Sequence, residues 1–458
     1  MRKFLISREG LRAVGIWVGA ILSSCTALAV TFMNPYLSGR EIRDLTLHGS
    51  MADAFKDEKG RFIEVPFSYD DPSLGTTEIY VWTLKEFDPQ KSSLLLFPGG
   101  PGGSSHTSQV AENLLEWNVI MFDARGTGFS YPKTSATLRD PRFMSSLNTA
   151  KDAAEVIRSF QMSRKISVWG HSYGTVTATI FANLFSEKVQ SLILEGVIFE
   201  GGLDLFAPHH RLRITQRYFD RLAPDIKVKV LHYSSAPGFS NTWFGRLVQQ
   251  EMYHSVFRKS VDTQLKMLFE NPDSILSETA KIIDESGMTN DSLFFGAHNF
   301  GAIACRELGL LHQNSTFNFA LVDGRVTYAA NMLLDDHCQD LNITTESLYH
   351  ATDYPTLVPT FYFQGTEDGA TVAPHAVKHF KFASAKNPKA ELFLVSSEGH
   401  SPLNSRITDP THAQRPQVLA LLQKALQGES MGQTEWQSLV SSGEFPKWEW
   451  HRTTHAHP

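Results

Sequence analysis

The stretch Ile166-Ser167-Val168-Trp169-Gly170-His171-Ser172-Tyr173-Gly174 decides the fold of this chain. It joins a short apolar strand to the pattern G-x-S-x-G, and the apolar spacing of Val176, Ile180 and Leu184 predicts a helix directly afterwards. A serine in this pattern, between a strand and a helix, is typical of a sharp turn that projects its hydroxyl above a parallel sheet. Such a turn leaves no room for side chains two positions before and after the serine, where Gly170 and Gly174 stand. We predict that Ser172 is a nucleophile.

Short apolar runs on both sides of this turn predict further strands. They lie at residues 94–97, 119–122, 166–169 and 192–194. These runs are mostly non-alternating, which is typical of strands buried on both faces, and helix-length segments separate them. The resulting βαβα order predicts an α/β fold with a mainly parallel sheet flanked by helices. Residues 62–67 and 78–82 predict an antiparallel hairpin at one edge of that sheet.

A long insertion interrupts this alternation. Strand-like runs stop after Glu195 and resume only at residues 360–363 and 392–395. About 160 residues lie between them, far more than an ordinary connection, and their apolar spacing is helical. We predict an inserted helical cap. The predicted domains are the first part of the core at 50–200, the cap at 201–355, the second part of the core at 356–428 and a C-terminal tail at 429–458.

A serine nucleophile requires a base, and the base requires a third group that holds its tautomer. Where the serine occupies this kind of turn, the partners follow in the order Asp, His on loops after late strands. Asp368 follows the run at 360–363, and His400 follows the run at 392–395. We predict His400 as the base and Asp368 as the orienting acid. Glu367 is the alternative acid.

The negative charge that develops on the attacked carbonyl oxygen requires two preorganised N–H donors. One donor is predicted at the backbone of Tyr173, directly after the nucleophile. The other is predicted in the loop Pro98-Gly99-Gly100-Pro101-Gly102-Gly103, because glycines let the backbone approach a substrate closely. Gly100 is the favoured donor there, and Gly99 is the alternative.

Three motifs carry a resemblance to a known family. They are Pro98-Gly99-Gly100-Pro101-Gly102-Gly103-Ser104, Asp123-Ala124-Arg125-Gly126-Thr127-Gly128-Phe129-Ser130 and Gly170-His171-Ser172-Tyr173-Gly174. Together they resemble the proline iminopeptidase and tripeptidyl aminopeptidase family of α/β-hydrolases. The resemblance implies a serine exopeptidase that acts on short peptides with a free N-terminus. Pro98 stands where proline iminopeptidases usually have His, which favours the exported tripeptidyl branch over strict specificity for N-terminal proline.

The resemblance also implies an acidic residue that binds the substrate amine. Members of the family recognise a free α-amine through acidic residues of the cap, because a buried ammonium requires a fixed counter-charge. Glu307, in Ile303-Ala304-Cys305-Arg306-Glu307, resembles that position and is the predicted amine-binding residue. Glu195 and Glu200 are the alternatives.

The N-terminal segment resembles an export signal. Four basic side chains accompany an uncharged, mostly apolar run from Ala13 to Leu22. Leu22-Ser23-Ser24-Cys25 resembles a bacterial lipobox, which implies that residues 1–24 are a cleaved signal peptide and that Cys25 carries a lipid. The alternative is an uncleaved signal anchor, because the uncharged run continues to Met33. Both predict an exported protein, attached to the membrane of the bacterial cell envelope.

The remaining cysteines, Cys305 and Cys338, form an even pair. In an exported domain such a pair is compatible with one disulfide, although spacing alone does not establish it.

Composition and spacing disfavour other classes of protein. With 42 basic and 48 acidic side chains the net charge is −6, which offers no electrostatic footprint for nucleic acid. No second ligand pair with zinc-like spacing accompanies His209-His210, and we predict neither a metal site nor a cofactor. An esterase or other small acyl hydrolase with the same triad is the alternative function, since fold and triad do not set the leaving group. An inactive binding protein is disfavoured because every triad and oxyanion position is filled.

Overall fold

The structure is a computed structural model of the 458-residue chain. It describes residues 37–47, 55, 58–108, 114, 116–202, 205, 208–236, 243–253, 257–271, 293–312, 318–320, 327–329, 337–412, 415–441 and 448–452. The predicted signal segment 1–24 and the predicted lipid site Cys25 lie outside the described residues.

A nine-stranded sheet forms the centre of the described part of the chain. Its strands are β1 (Lys59–Pro66), β2 (Thr76–Thr83), β3 (Ser93–Phe97), β4 (Asn118–Phe122), β5 (Ile166–His171), β6 (Val189–Glu195), β9 (Thr360–Gly365), β10 (Ala390–Val395) and β11 (Trp448–Arg452). Their spatial order is β1-β2-β4-β3-β5-β6-β9-β10-β11. The pairs from β4 to β10 are parallel, whereas the β1–β2 hairpin at one edge and β11 at the other pair antiparallel. A mainly parallel sheet with an edge hairpin, as predicted from the apolar runs, is confirmed.

Helices cover the sheet and form the insertion. Their bounds are α1 (Gly39–Leu47), α2 (Ser135–Arg139), α3 (Ser146–Ser159), α4 (Gly174–Leu184), α5 (Pro208–Arg221), α6 (Pro224–Ser235), α7 (Trp243–Glu251), α8 (Phe257–Glu270), α9 (Ala297–Arg306), α10 (His337–Asp340), α11 (Ala373–Ser384), α12 (Asn404–Thr408), α13 (Arg415–Gln427) and α14 (Gln433–Ser441). Among the described residues, no helix combines the length and apolar character needed to span a bilayer.

The central strands are buried on both faces because helices lie on each side. Successive side chains of a strand point to opposite faces. In β5, an added Cβ at Gly170 would contact Ala178 of α4, while the Ser167 hydroxyl, on the other face, bonds to the Leu426 carbonyl of α13. Every residue of β3 and β4 is accordingly buried. Non-alternating apolar runs are the consequence of this two-sided burial.

The insertion lies between β6 and β9, as the sequence predicts. Helices α5–α8, which we call the cap helices, enclose a hydrophobic cluster of their own that includes Phe219, Phe244 and Leu265. Helix α9 belongs instead to the core of the sheet, because Ile303 and Cys305 pack into it. A disulfide joins Cys305 to Cys338 and thereby links α9 to α10. The short antiparallel pair β7 (Asn318–Ala320) and β8 (Thr327–Ala329) also lies within the insertion.

The segment predicted as a tail contributes structure to the sheet. Helix α14 and strand β11 fall within it, and β11 pairs with β10 from Glu391 to Val395. The exact boundaries of the four predicted segments stay a prediction.

Candidate active site

Ser172 lies on a tight turn between β5 and α4. Its backbone φ is 56°, a conformation that is uncommon for a residue with a side chain. The turn is held because the Ser172 N–H donates to the Glu195 carbonyl at 2.7 Å and the Thr175 N–H donates to the Ser172 carbonyl at 2.9 Å. An added Cβ at Gly170 would come within 2.3 Å of the Gly174 carbonyl oxygen. The glycine spacing in the sequence is therefore a packing requirement of this turn.

Asp368 and His400 are brought together from the ends of two neighbouring strands. Their Oδ2 and Nδ1 atoms lie 2.9 Å apart, and both residues are 1% exposed. The other oxygen of Asp368 accepts the N–H groups of Ala370 and Thr371 at 2.8 and 2.9 Å. Burial alone would raise the pKa of Asp368, but His400 and the N–H and hydroxyl groups of Thr371 outweigh it and hold that pKa below its usual value. Asp368 is thus an ionised partner for His400.

The side chain of Glu367, the alternative acid, is bound to the cap helices. Its carboxylate accepts a hydrogen bond from Arg217 of α5 at 2.9 Å. The structure therefore brings Asp368 to His400 and places Glu367 at the cap helices.

The ring of His400 lies beside the nucleophile turn, and its second nitrogen, Nε2, is not the one that contacts Asp368. Nε2 is buried and has no hydrogen-bond partner among the described residues. The His400 ring lies 4.9 Å from the ring of His171, the residue before Ser172, and it packs against Gly196, where an added Cβ would approach it to 2.7 Å. The described residues show no hydrogen bond between His400 and the Ser172 hydroxyl, a contact that often tightens only when substrate is bound.

His171 connects the nucleophile turn to the loop of His400. Its Nε2 lies 2.8 Å from the Ser401 hydroxyl. Burial, together with the neighbouring His400, lowers the pKa of His171 to about 3, and the ring is therefore neutral. Sequence reasoning missed this contact. The only signal in the sequence was that polar residues stand next to the predicted nucleophile and base: His171 directly precedes Ser172, and Ser401 directly follows His400.

Glu195, at the end of β6, makes a second connection between the same two loops. Its carbonyl accepts the Ser172 N–H, and its Oε1 accepts the N–H groups of Leu403 and Asn404 at 2.7 and 2.8 Å. The side chain is fully buried, and burial raises the pKa of Glu195 to about 7. The sequence suggested Glu195 only as an alternative amine-binding residue. These hydrogen bonds could not be predicted from it, because they join residues 208 and 209 positions apart in the chain.

The glycine-rich loop lies beside Ser172, as predicted. An added Cβ at Gly99 would come within 2.9 Å of the Ser172 Cβ, and Gly100 has a φ of 121°. Neither the Gly100 N–H nor the Tyr173 N–H donates a hydrogen bond within the part of the chain that the structure describes. Both donors predicted for the oxyanion are therefore uncommitted there.

Buried hydrogen bonds support this loop from two sides. Asp123 Oδ1 accepts the Ser104 hydroxyl and the Ser105 N–H, each at 2.8 Å. On the opposite side, the Gly296 N–H before α9 donates to the Gly102 carbonyl at 2.8 Å. The loop is thus held by the end of β4 and by the segment that precedes α9.

Glu307 lies at the end of α9, against the start of α3. Its carboxylate accepts the Ser146 N–H at 3.0 Å and also the Ser146 hydroxyl, and that hydroxyl lies 2.8 Å from the Tyr173 hydroxyl. Burial raises the pKa of Glu307 to about 7. Its role in binding a substrate amine stays a prediction. Glu200, another alternative, pairs with Lys378 at 3.1 Å.

Residues 93–404 match the family model described as alpha/beta hydrolase fold, and the chain therefore belongs to the α/β-hydrolases. A proline iminopeptidase of Xylella fastidiosa is 25% identical over 114 residues, which cover 24% of this chain and 34% of that protein. The first curated relatives are matched over only 33–36% of their own length.

Two solved structures illustrate the neighbours of this fold. A proline iminopeptidase-related protein of Thermus thermophilus is 16% identical with a TM-score of 0.40, covering 80% of this chain and 98% of that chain. A thermophilic esterase of Thermogutta terrifontis is 15% identical with a TM-score of 0.40, covering 80% of this chain and 99% of that chain.

Proposed function

We propose that this α/β-hydrolase is a serine exopeptidase that removes residues from the N-terminus of short peptides. The observation that carries the proposal is the buried Asp368–His400 pair, which stands beside the Ser172 turn with Nε2 of His400 free of other partners among the described residues. This arrangement suits acyl transfer, because a histidine held through Nδ1 accepts a proton at Nε2.

In the proposed mechanism Ser172 Oγ attacks the scissile carbonyl carbon while His400 Nε2 takes the hydroxyl proton. The carbonyl oxygen becomes an oxyanion that the Gly100 and Tyr173 N–H groups stabilise. When the tetrahedral intermediate collapses, the carbon–nitrogen bond breaks and the leaving amine receives the proton from His400. Water then attacks the acyl-enzyme with the same proton relay, which releases the acid and restores Ser172.

Three observations support a peptide substrate. The motifs around Gly100, Arg125 and Ser172 resemble those of N-terminal exopeptidases, and the Xylella relative carries the name of one. The cap also contacts the base. The Met252 carbonyl accepts the backbone N–H of His400 at 2.8 Å, and the Tyr253 ring lies 5.2 Å from the His400 ring. A cap so close to the reacting groups favours short substrates.

We also propose that the protein is exported and held at the membrane of the bacterial cell envelope by a lipid on Cys25, or by an uncleaved anchor. The basic and apolar pattern of the N-terminus supports this location. The Cys305–Cys338 disulfide supports it too, since disulfides persist in oxidising compartments. Labelling of the intact protein by a radioactive lipid precursor, abolished in Cys25→Ala, tests the lipid; equal labelling of both would exclude Cys25.

A matched substrate panel tests the proposed activity. It pairs aminoacyl, dipeptidyl and tripeptidyl fluorogenic amides with their N-acetylated forms, and it adds p-nitrophenyl esters of simple acids. We expect release of fluorophore from free-amine substrates at rates at least about tenfold above the N-acetylated forms, with none from Ser172→Ala. Turnover of the esters without cleavage of any peptide amide would replace the exopeptidase with an esterase.

A further inference from the structure

Helix α9 belongs to the insertion in chain order, but its N-terminal end contacts the glycine-rich loop. The Gly296 N–H, directly before the helix, donates to the Gly102 carbonyl at 2.8 Å, and the Phe294 carbonyl accepts the Ser104 N–H at 3.0 Å. These two bonds hold the segment that follows Gly100, one of the two proposed oxyanion donors. The start of α9 therefore helps to fix the position of that donor.

The other end of α9 is connected to Tyr173, the second proposed donor, through a chain of three side chains. Glu307 directly follows α9, and its carboxylate accepts both the N–H and the hydroxyl of Ser146. The Ser146 hydroxyl lies 2.8 Å from the Tyr173 hydroxyl. A serine hydroxyl has one proton, and donating it to Glu307 leaves the oxygen to accept the phenol proton of Tyr173. Burial and the Glu307 carboxylate raise the pKa of Tyr173 well above its usual value, and the phenol therefore keeps that proton.

This chain restrains the backbone of Tyr173 because the tyrosine side chain is stiff. Only two torsions join its ring to Cα, and a ring held at its tip limits where the backbone N–H of the same residue can lie. The ring is buried, at 5% exposure, and it lines one small cavity together with Gly99 and Asn299 of α9. Ser172, the preceding residue, has a φ of 56°, and such a backbone persists only where its surroundings hold it.

The end of α9 that carries Glu307 is itself firmly held. The Glu307 carbonyl accepts the Tyr349 N–H at 2.9 Å, and the disulfide between Cys305 and Cys338 ties the last turn of the helix to α10. Glu307 is thus a fixed anchor for the chain that ends at Tyr173.

We propose that α9 positions both oxyanion donors, the glycine-rich loop from one end and Tyr173 from the other, with Glu307 as a positioning residue that acts through Ser146. This inference rests on the proposed function only in that Ser172 carries out acyl transfer, and it applies to esters as well as to peptides. It gives Glu307 a part in the chemical step instead of in the binding of a substrate amine.

Three substitutions interrupt the chain at successive points: Glu307→Gln, Ser146→Ala and Tyr173→Phe. Gln at 307 can accept only one of the two Ser146 donors, and Phe at 173 keeps the ring and the backbone N–H. We expect each to lower kcat about tenfold with KM within about threefold, less than the complete loss of an oxyanion donor costs. Combining Glu307→Gln with Tyr173→Phe should lower kcat no further, because the chain is already broken. Effects that multiply in the double variant overturn the proposal.

Ser145→Ala is the matched control for a merely structural role. The Ser145 hydroxyl caps α3 by accepting the Asn148 N–H at 3.0 Å, directly beside the Ser146 link. Its removal should lower the thermal unfolding midpoint and leave kcat within about twofold of the wild-type value. The proposal is wrong if the three chain variants behave as Ser145→Ala does. It is also wrong if Glu307→Gln impairs only substrates with a free amine, which would make Glu307 the amine-binding residue.

Binding of butylboronic acid measures the oxyanion hole without turnover. Ser172 Oγ bonds to boron, its proton passes to His400, and the tetrahedral boronate resembles the transition state with an oxygen in the hole. Calorimetric titration should show affinity about tenfold weaker in Tyr173→Phe and Ser146→Ala, and within about twofold of wild type in Ser145→Ala. These two chain variants decide the result if Glu307→Gln does not fold, and wild-type affinity in both overturns the proposal. If the wild-type enzyme cleaves esters but no peptide while the predicted losses occur, the exopeptidase function fails and the role of α9 stands.

Discussion

The main body of the molecule, the sheet with its flanking helices, holds the candidate site differently from the cap helices. In the main body, buried hydrogen bonds fix Ser172 to Glu195, His400 to Asp368 and His171 to Ser401. The cap approaches the site through two buried hydrogen bonds, from the His400 backbone N–H to the carbonyl of Met252 after α7 and from Arg211 of α5 to the Gly369 carbonyl. It also approaches through the half-exposed Arg217, which pairs with Glu367.

This difference suggests that the main body and the cap have different roles in catalysis. Each buried bond of the main body would leave an unpaired polar group if it broke, and the reacting groups are therefore held in one geometry. The exposed ion pair between Arg217 and Glu367 contributes roughly 0–1 kcal/mol, and this exposed side of the cap can vary at little cost. We expect substitutions in the main body to change the chemical step and substitutions in the cap to change substrate binding.

The largest expected effect is that of Ser172→Ala, which tests whether the main body carries the chemistry at all. Loss of the nucleophile should lower kcat by roughly 10⁶-fold. The thermal unfolding midpoint should stay at the wild-type value, because the described structure shows no hydrogen bond from the Ser172 hydroxyl. Turnover reduced by less than about 100-fold would assign the attack to another group.

The variants Asp368→Asn and Glu367→Gln compare two neighbouring acids. Asp368 contacts His400 in the main body, and Glu367 pairs with Arg217 of the cap. An amide at Asp368 can stabilise the wrong His400 tautomer, and kcat should fall on the order of 10⁴-fold. Glu367→Gln is the matched control and should leave kcat within about threefold, because it only weakens the pair with Arg217. Steady-state kinetics of both variants at saturating substrate decide the assignment. The reverse order of effects would make Glu367 the acid.

A buried charged network under the glycine-rich loop makes the stability of the main body depend on pH. His106 lies 2.9 Å from Glu58 and 3.6 Å from Asp123, and its ring stacks on Trp82. Burial alone would lower the pKa of His106, but Asp123 and Glu58 raise it to about 9. Because the folded pKa exceeds the unfolded value, the stabilisation is complete below about pH 6.5 and is lost as the pH rises through about 9.

His106→Gln measures this contribution. Between about pH 6 and about pH 9.5 the wild-type free energy of unfolding should fall by about 3 kcal/mol more than that of the variant, as urea titrations would show. Parallel pH curves for the two proteins would mean that His106 is neutral in the fold.

Arg217→Ala should have the smallest effect, and it tests how much the exposed side of the cap contributes. The Arg217 side chain is 50% exposed, and the pair with Glu367 should contribute less than about 1 kcal/mol. We expect an unchanged kcat and a KM raised less than about threefold in the same peptide assay. A tenfold loss of kcat would show instead that the cap positions the reacting groups.

Much of the fold and of the candidate site follows from local patterns. Two-sided burial produces non-alternating apolar runs, which is why β3, β4, β5 and β6 were predictable. Ser172, Asp368 and His400 were predictable because each follows a strand whose end lies at the same edge of a parallel sheet. Gly170 and Gly174, two positions before and after Ser172, were predictable because the turn excludes side chains there.

The amino-acid sequence by itself thus determined the class of fold with its inserted cap, and it supplied the three residues that we propose as the triad. Only the tertiary structure decided which acid reaches His400, how Glu195 and His171 tie Ser172 to the His400 loop, and that β11 completes the sheet. It also decided that the two ends of α9 contact the glycine-rich loop and, through Ser146, Tyr173. The physical reason is that strand periodicity and turn sterics act between near neighbours in the chain. Hydrogen bonds such as those from Leu403 to Glu195 and between His171 and Ser401 join residues 208 and 230 positions apart, and they depend on how the strands are ordered in space.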